Sequence, residues 1–183
     1  MTQVSLALEF CHSNQFIHRD LKPCNVLLSE GGQYVRLGDF GLATEIKKLD
    51  TNGGEMQEAG TPLYTAPEVI KSLPYSFPVD CWSFGVMLYE LISLRSPFNG
   101  NNTTDLVRSI VSEEYILPEL PEHYSEELKT LCFSLLNRNH VERPAMVEIL
   151  QTPVFHQKVS MKLWCLYMLC VYFVYIALQY QKQ

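Results

Sequence analysis

Residues 79–94, Val-Asp-Cys-Trp-Ser-Phe-Gly-Val-Met-Leu-Tyr-Glu-Leu-Ile-Ser-Leu, are apolar on nearly every side when wound as an α-helix. Such a helix belongs in the centre of a domain, so the rest of the 183-residue chain has to surround it. Val4, Ala7, Leu8 and Cys11 fall at helical spacing, and an amphipathic helix therefore opens the sequence. A further helix is expected from about Thr104 to Val111. Another begins at Ser125, with Glu126 and Glu127 in a first turn that suits the helix dipole. Its apolar face carries Leu128, Leu131, Cys132, Leu135 and Leu136. The last helix is read with Pro144 at its first position and with Met146, Ile149 and Leu150 turned inward. Asp80 is placed to cap or anchor the start of the central helix.

Strand signals are short and lie early. Phe16-Ile17 and Val26-Leu27-Leu28 are apolar runs on either side of a polar loop, and Ser29-Glu30-Gly31-Gly32 is a turn leading into Tyr34-Val35-Arg36-Leu37. From Thr44 to Gly60 apolar periodicity fades around Asn52-Gly53-Gly54, which predicts a long exposed segment of the functional or disordered kind. The expected fold is mainly α with a few short β-strands.

Composition removes several alternatives. At 47% hydrophobic and 19% charged residues the chain has the apolar mass to fold, unlike a disordered sequence. A net charge of −6 argues against nucleic acid as a partner, because phosphate binding needs a basic face. The six cysteines form no Cys-x-x-Cys pair and no signal peptide precedes them, which predicts free thiols in a reducing, cytoplasmic compartment.

Chemistry concentrates in three ordered motifs. His18-Arg19-Asp20-Leu21-Lys22-Pro23-Cys24-Asn25 occupies the loop between the first two strands. Asp39-Phe40-Gly41 starts 14 residues beyond Asn25, and Gly60-Thr61-Pro62-Leu63-Tyr64-Thr65-Ala66-Pro67-Glu68 closes the long segment. Any one of these is a weak signal, since a lone Asp is more often a turn or cap residue than a catalyst. The ordered set with these gaps, followed by the buried helix, resembles the eukaryotic protein kinases.

That resemblance implies ATP and Mg²⁺ as cofactors and a protein substrate with a Ser or Thr acceptor. Asp20 would orient the acceptor hydroxyl and take its proton, and Lys22 would reach the transferred phosphate as a flexible point charge. Asn25 and Asp39 would supply oxygens to Mg²⁺, a hard cation suited to one or two such ligands plus phosphates. Gly41 would let the backbone turn while Phe40 packs beneath, and His18 would hold the loop. Asp80 would pin the catalytic-loop backbone from below, and Glu68 would form a buried ion pair with Arg143. Lys22 and the Gly60-Thr61-Pro62 stretch resemble serine/threonine rather than tyrosine kinases, and Leu42 goes with a serine preference. The lower part of the sequence is similar to the NIMA-related group.

Arg19 before the catalytic Asp implies a loop ordered by pairing with phosphate. The family's usual phosphorylated position, four residues before Thr61, is Gln57 here. Either Thr51 takes that role, or Glu55 and Glu58 pair with Arg19 permanently, or the loop is simply a solvated acidic one.

The resemblance covers the lower, helical lobe, residues 1–157. No Gly-rich loop, strand lysine or partner helix glutamate occurs in the sequence, so half of the ATP site is expected to be missing and the upper face to expose apolar surface. A kinase fragment lacking its N-terminal lobe and an inert kinase-like binding module both fit that pattern. Residues 158–183 form a hydrophobic tail. Leu163 to Leu178 is 16 residues without a charge, about 24 Å as a helix against a ~30 Å hydrocarbon core. With Lys162 and Lys182 able to snorkel at its ends, a membrane anchor is the preferred reading, against a C-terminal helix packed on the lobe or translated non-coding sequence.

Overall fold

The computed structural model describes residues 1–48 and 62–156. Its central helix, α3 in the numbering used below, is Pro78–Ser93, with Trp82, Phe84, Val86 and Tyr89 all buried, as its all-round apolar sequence demands. Pro78 opens it at a position where a missing N–H costs nothing, and Leu94 closes it in the left-handed region at φ 55°. Its neighbour α5 (Glu126–Leu135) comes close because of one residue: a Cβ on Gly85 would lie 2.7 Å from the Leu135 Cβ. Ser125 caps α5 by accepting from the Leu128 N–H.

The first helix, α1 (Thr2–Ser13), turns Val4, Ala7, Leu8 and Cys11 into the core at the expected spacing. It ends at Asn14, and Gln15, at φ 66°, redirects the chain into β1 (Phe16–Ile17). β2 (Val26–Leu28) and β3 (Val35–Leu37) form an antiparallel hairpin in which Val26 faces Leu37 and Leu28 faces Val35. Gly31 and Gly32 supply the positive φ values of its turn. β4 (Thr44–Glu45) pairs antiparallel with β1, Ile17 opposite Thr44 and Phe16 opposite Glu45. The segment read as exposed from Thr44 onward therefore begins as a strand, because β1 offers an open edge that two residues suffice to pair.

After α2 (Pro67–Ile70) and α3 come α4 (Thr103–Val111), capped by Asn102, then α5, α6 (Met146–Gln151) and α7 (Pro153–His156). Pro144 is not the first residue of α6. The helix starts at Met146, where the Glu148 carboxylate accepts the Ala145 N–H at 2.7 Å and fixes the boundary two residues later. Met146 and Ile149 are buried as expected, and Leu150 is half-buried. The fold is mainly α with short two-stranded sheets, and β1 and β3 pack on α1. The hydrophobic tail lies outside the described residues, and among those described no helix is long and apolar enough to cross a membrane.

Candidate active site

The site is built on Asp80. This side chain, completely buried in the first turn of α3, does not cap the helix: the residue at the N-cap is Phe77, and both Asp80 oxygens point away to the loop after β1. Oδ2 accepts the His18 N–H and Oδ1 the Arg19 N–H, each at 2.9 Å. His12, in the last turn of α1, donates its Nε2 hydrogen to Oδ2 at 2.8 Å and lies against the Phe77 ring. Burial pushes the Asp80 carboxyl up, but the His12 hydrogen bond, the electrostatic attraction of the neighbouring His12 and His18 rings and the His18 N–H outweigh it and leave the pKa below the ordinary carboxylate value. Arg19 sits at φ 66°, a conformation that costs a non-glycine residue about 1–3 kcal/mol. The charge-assisted bonds from Asp80 are what hold it there.

His18, fully buried, ties this loop to the Asp39 segment. Its Nδ1 accepts the Asp20 N–H at 3.3 Å, and its Nε2 lies 3.1 Å from the Gly38 carbonyl, which can only accept; Nε2 therefore carries the hydrogen. Phe40 meets the His18 ring edge-on with centroids 4.8 Å apart, which is the packing beneath the loop that the sequence suggested. The Gly38 N–H completes the tie by donating to the Asn25 carbonyl at 2.8 Å.

Above these anchors the polar side chains meet. Lys22 Nζ lies 2.8 Å and 2.7 Å from the two Asp20 carboxylate oxygens. Asn25 Nδ2 donates to the Asp20 carbonyl at 2.8 Å and to Asp20 Oδ2 at 2.9 Å. The Asp20 hydrogen bond holds the Lys22 ammonium above its ordinary pKa against partial desolvation, and the Asp39 charge adds to the effect. Asp39 is exposed, next to the Gly38 tie, and sits at φ 55°. The left-handed turn of the Asp39-Phe40-Gly41 motif is thus made at Asp39 and not at Gly41. Gly41 serves differently: its N–H donates to Asp39 Oδ1 at 3.2 Å, and a Cβ there would crowd the same oxygen at 3.2 Å.

Arg19 aims its side chain the other way. Nε donates to the Leu42 carbonyl at 2.6 Å and Nη1 to the Tyr75 hydroxyl at 3.1 Å, at the wall of a small cleft of about 50 Å³ that Tyr64, Thr65 and Ala66 also line. Thr51, Glu55, Gln57, Glu58 and Thr61 lie outside the described residues. Further along, Tyr64 donates its hydroxyl to Glu90 Oε2 at 2.7 Å, and Ser83 Oγ donates to the Tyr64 carbonyl at 2.7 Å, fastening the end of the long segment to α3. Glu68 and Arg143 form the expected buried pair, with both guanidinium nitrogens 2.6 Å from the two carboxylate oxygens. Arg143 also donates to the Pro78 and Asn137 carbonyls and lies 5.0 Å over the Trp82 ring.

Two partners went unread in the sequence. His12 follows Leu8 by four residues and so shares the inward face of α1, which is the signal that marks it as a polar side chain turned towards the core. Tyr75 gave none, since it comes from a loop between α2 and α3 where no periodicity operates.

The donor set suits Mg²⁺. With Nδ2 of Asn25 committed to Asp20, its Oδ1 has, among the described residues, a weak hydrogen bond from the Cys24 thiol at 3.7 Å. Asp39 Oδ1 has the Gly41 N–H as its partner. Among the described residues no three His, Cys, Asp or Glu form a closed metal cage. One amide oxygen and one carboxylate, with phosphates completing the shell, match how this cation is usually held.

Residues 1–155 match the family model of the protein kinase domain, and the chain belongs to that family. It is 39% identical over 165 residues to the human serine/threonine-protein kinase Nek2, covering 87% of this chain and 36% of that protein. It is 38% identical over 153 residues to human serine/threonine-protein kinase Nek5, covering 82% of this chain and 21% of the relative. A putative serine/threonine-protein kinase A of Trypanosoma brucei brucei is 36% identical over 157 residues, 85% of this chain and 35% of its own length. The chain thus spans about a third or less of these relatives, and its likeness is to the NIMA-related-like kinase catalytic domain.

Proposed function

We propose that this chain carries the acceptor-side and metal-side machinery of ATP-dependent phosphoryl transfer to Ser or Thr hydroxyls of proteins. The observation that supports it most is the Asp20 carboxylate, held by Lys22 at 2.7 Å and Asn25 at 2.9 Å on a backbone fixed through Asp80. Phosphoryl transfer needs positioning and charge more than covalent help from the protein. Asp20 orients the incoming hydroxyl and receives its proton at a carboxylate oxygen. Lys22 places a cation beside the oxygens on which negative charge develops. Asn25 Oδ1 and the Asp39 carboxylate would hold Mg²⁺, and Mg-ATP when bound supplies the phosphoryl group.

The clamp over the nucleotide, with its Gly-rich loop and strand lysine, has no counterpart in the sequence given, so that part of the chemistry is not assigned to these residues. Leu27 and Leu28, 55% and 68% exposed on the β2–β3 hairpin beside Asn25, offer the apolar face that a covering lobe would bury. The same exposed face suits the second reading, a kinase-like module that binds partners without turnover.

Labelled phosphoryl transfer from Mg-ATP to Ser, Thr and Tyr peptides, with phosphoamino-acid analysis of the products, separates the two. Transfer to Ser and Thr that falls ~10²–10⁴-fold in Asp20→Asn supports catalysis. Transfer indifferent to Asp20, or absent from the unaltered chain, leaves the binding module.

A further inference from the structure

Arg19 is held at both ends by one stretch of chain, residues 75–80. Asp80 accepts the Arg19 backbone N–H at 2.9 Å, and five residues earlier the Tyr75 hydroxyl meets Nη1 of the same residue at 3.1 Å. A guanidinium has donors only, so the Tyr75 oxygen is the acceptor in that contact. Nε meanwhile donates to the carbonyl of Leu42, three residues past Asp39, at 2.6 Å. Two bonds from different nitrogens of a planar group fix its plane as well as its position. Arg19 therefore ties the loop that carries Asp20 to the segment that carries Asp39.

We propose that Tyr75 is a positioning residue of this site: its hydroxyl anchors the Arg19 guanidinium, and through it the Leu42 carbonyl, so that the catalytic loop is set by a neutral hydrogen bond and needs no phosphate. The inference rests on the phosphoryl-transfer reading above and adds to it the means by which the loop is held.

Tyr75 is firmly mounted for that task. Its ring is half-buried and packs on the hydrophobic core. The loop it comes from is fastened on either side: the Leu73 N–H donates to the Glu68 carbonyl at 2.8 Å, Glu68 is paired with the buried Arg143, and the Val79 N–H donates to the Ser76 carbonyl at 3.1 Å. The charge balance points the same way. A phosphate would bring about −1.5 to −2 charges to Arg19. Tyr75 and Leu42 bring acceptor oxygens without charge, and Gln57 in the long segment has no hydroxyl to phosphorylate. A contact made by residues of the fold itself is present whatever the modification state of that segment.

The Arg19 Nε–H signal tests this by ¹⁵N NMR in the full 183-residue chain, with Arg19→Lys to assign it. Bound to the Leu42 carbonyl, that hydrogen should exchange slowly with water, at the same rate before and after phosphatase treatment. Tyr75→Phe keeps the ring and removes the acceptor, and should quicken the exchange about tenfold with no change in unfolding midpoint. Tyr115→Phe, whose hydroxyl bonds the Pro97 carbonyl instead, is the control and should leave the rate unchanged. Exchange that quickens on phosphatase treatment would overturn the proposal, because a phosphate would then be the anchor. Exchange indifferent to Tyr75→Phe would overturn it as well, and so would a lower midpoint with faster exchange throughout α2 and α3, which marks a packing role.

A metal readout separates this inference from the function it rests on. Broadening of the Asp39 signal by Mn²⁺-ATP should need about tenfold more Mn²⁺ in Tyr75→Phe. Unchanged broadening beside a released Arg19 would overturn the positioning role. No broadening at Asp39 in the unaltered chain, with Arg19 behaving as described, would sink the phosphoryl-transfer reading while supporting Tyr75 as the anchor of Arg19.

Discussion

Arg143 and Glu68, 75 residues apart in sequence, meet as a two-pronged ion pair with both N···O distances at 2.6 Å and both side chains almost wholly buried. The pair joins the loop before α6 to the start of α2, and Arg143 reaches α3 as well through the Pro78 carbonyl. Removing one partner strands a charge where water cannot reach it. Arg143→Ala is therefore expected to lower unfolding free energy by about 3–5 kcal/mol in urea titrations. An unchanged midpoint would mean that the pair carries no weight in the fold.

Asp80 gives a pH dependence whose sign follows from its environment. Its carboxyl sits below the ordinary value in the folded chain, so its stabilisation is fully present above the unfolded carboxylate pKa of about 3.9 and is lost as pH falls through the folded value. Asp80→Asn keeps one acceptor oxygen and replaces the other by an NH₂ that cannot accept, so one of the His18 and Arg19 N–H groups loses its partner, at an expected cost of about 1–3 kcal/mol near neutrality. In thermal melts the gap between the unaltered chain and the variant should be constant from pH 5 to 7 and narrow below pH 4. A gap that widened on acidification would contradict the assignment.

Much of this architecture was legible because it rests on periodicity and on motif order. The all-round apolar run gave α3, the i, i+3, i+4 spacing gave α1 and α5, and the order of Asp20, Asn25 and Asp39 located the site. What escaped depends on contacts made only after folding. β4 is two residues long and exists because β1 leaves an edge open. The left-handed turn falls on Asp39, directly after Gly38, whose bonds to His18 and Asn25 fix the chain there, and not on Gly41. Asp80 has the position of a cap residue, yet both its oxygens are taken by a loop more than 60 residues away. The partners of Arg19, Leu42 and Tyr75, come from two separate loops with no pattern to betray them.

Among the described residues the cysteines divide by burial. Cys11, Cys81 and Cys132 are buried, and that desolvation pushes each thiol up to about 12, leaving almost no thiolate at neutral pH. Cys24 is exposed in the catalytic loop. Alkylation at pH 8 followed by peptide mass mapping should modify Cys24 within minutes and the other three only after denaturant is added. Rapid labelling of Cys81 in the native chain would place it outside the core.

Phosphoryl transfer by this chain requires Asp20, Asn25 and Asp39 to face one metal-phosphate position, and paramagnetic broadening reads that position without requiring turnover. Mn²⁺ added with ATP, as a stand-in for Mg²⁺, should first broaden the backbone NMR signals of Asp20, Asn25, Gly38 and Asp39. Asp39→Asn should weaken that broadening at least tenfold in Mn²⁺ concentration. Broadening spread evenly over the acidic surface, or unchanged by the substitution, would show that these side chains do not share a metal site.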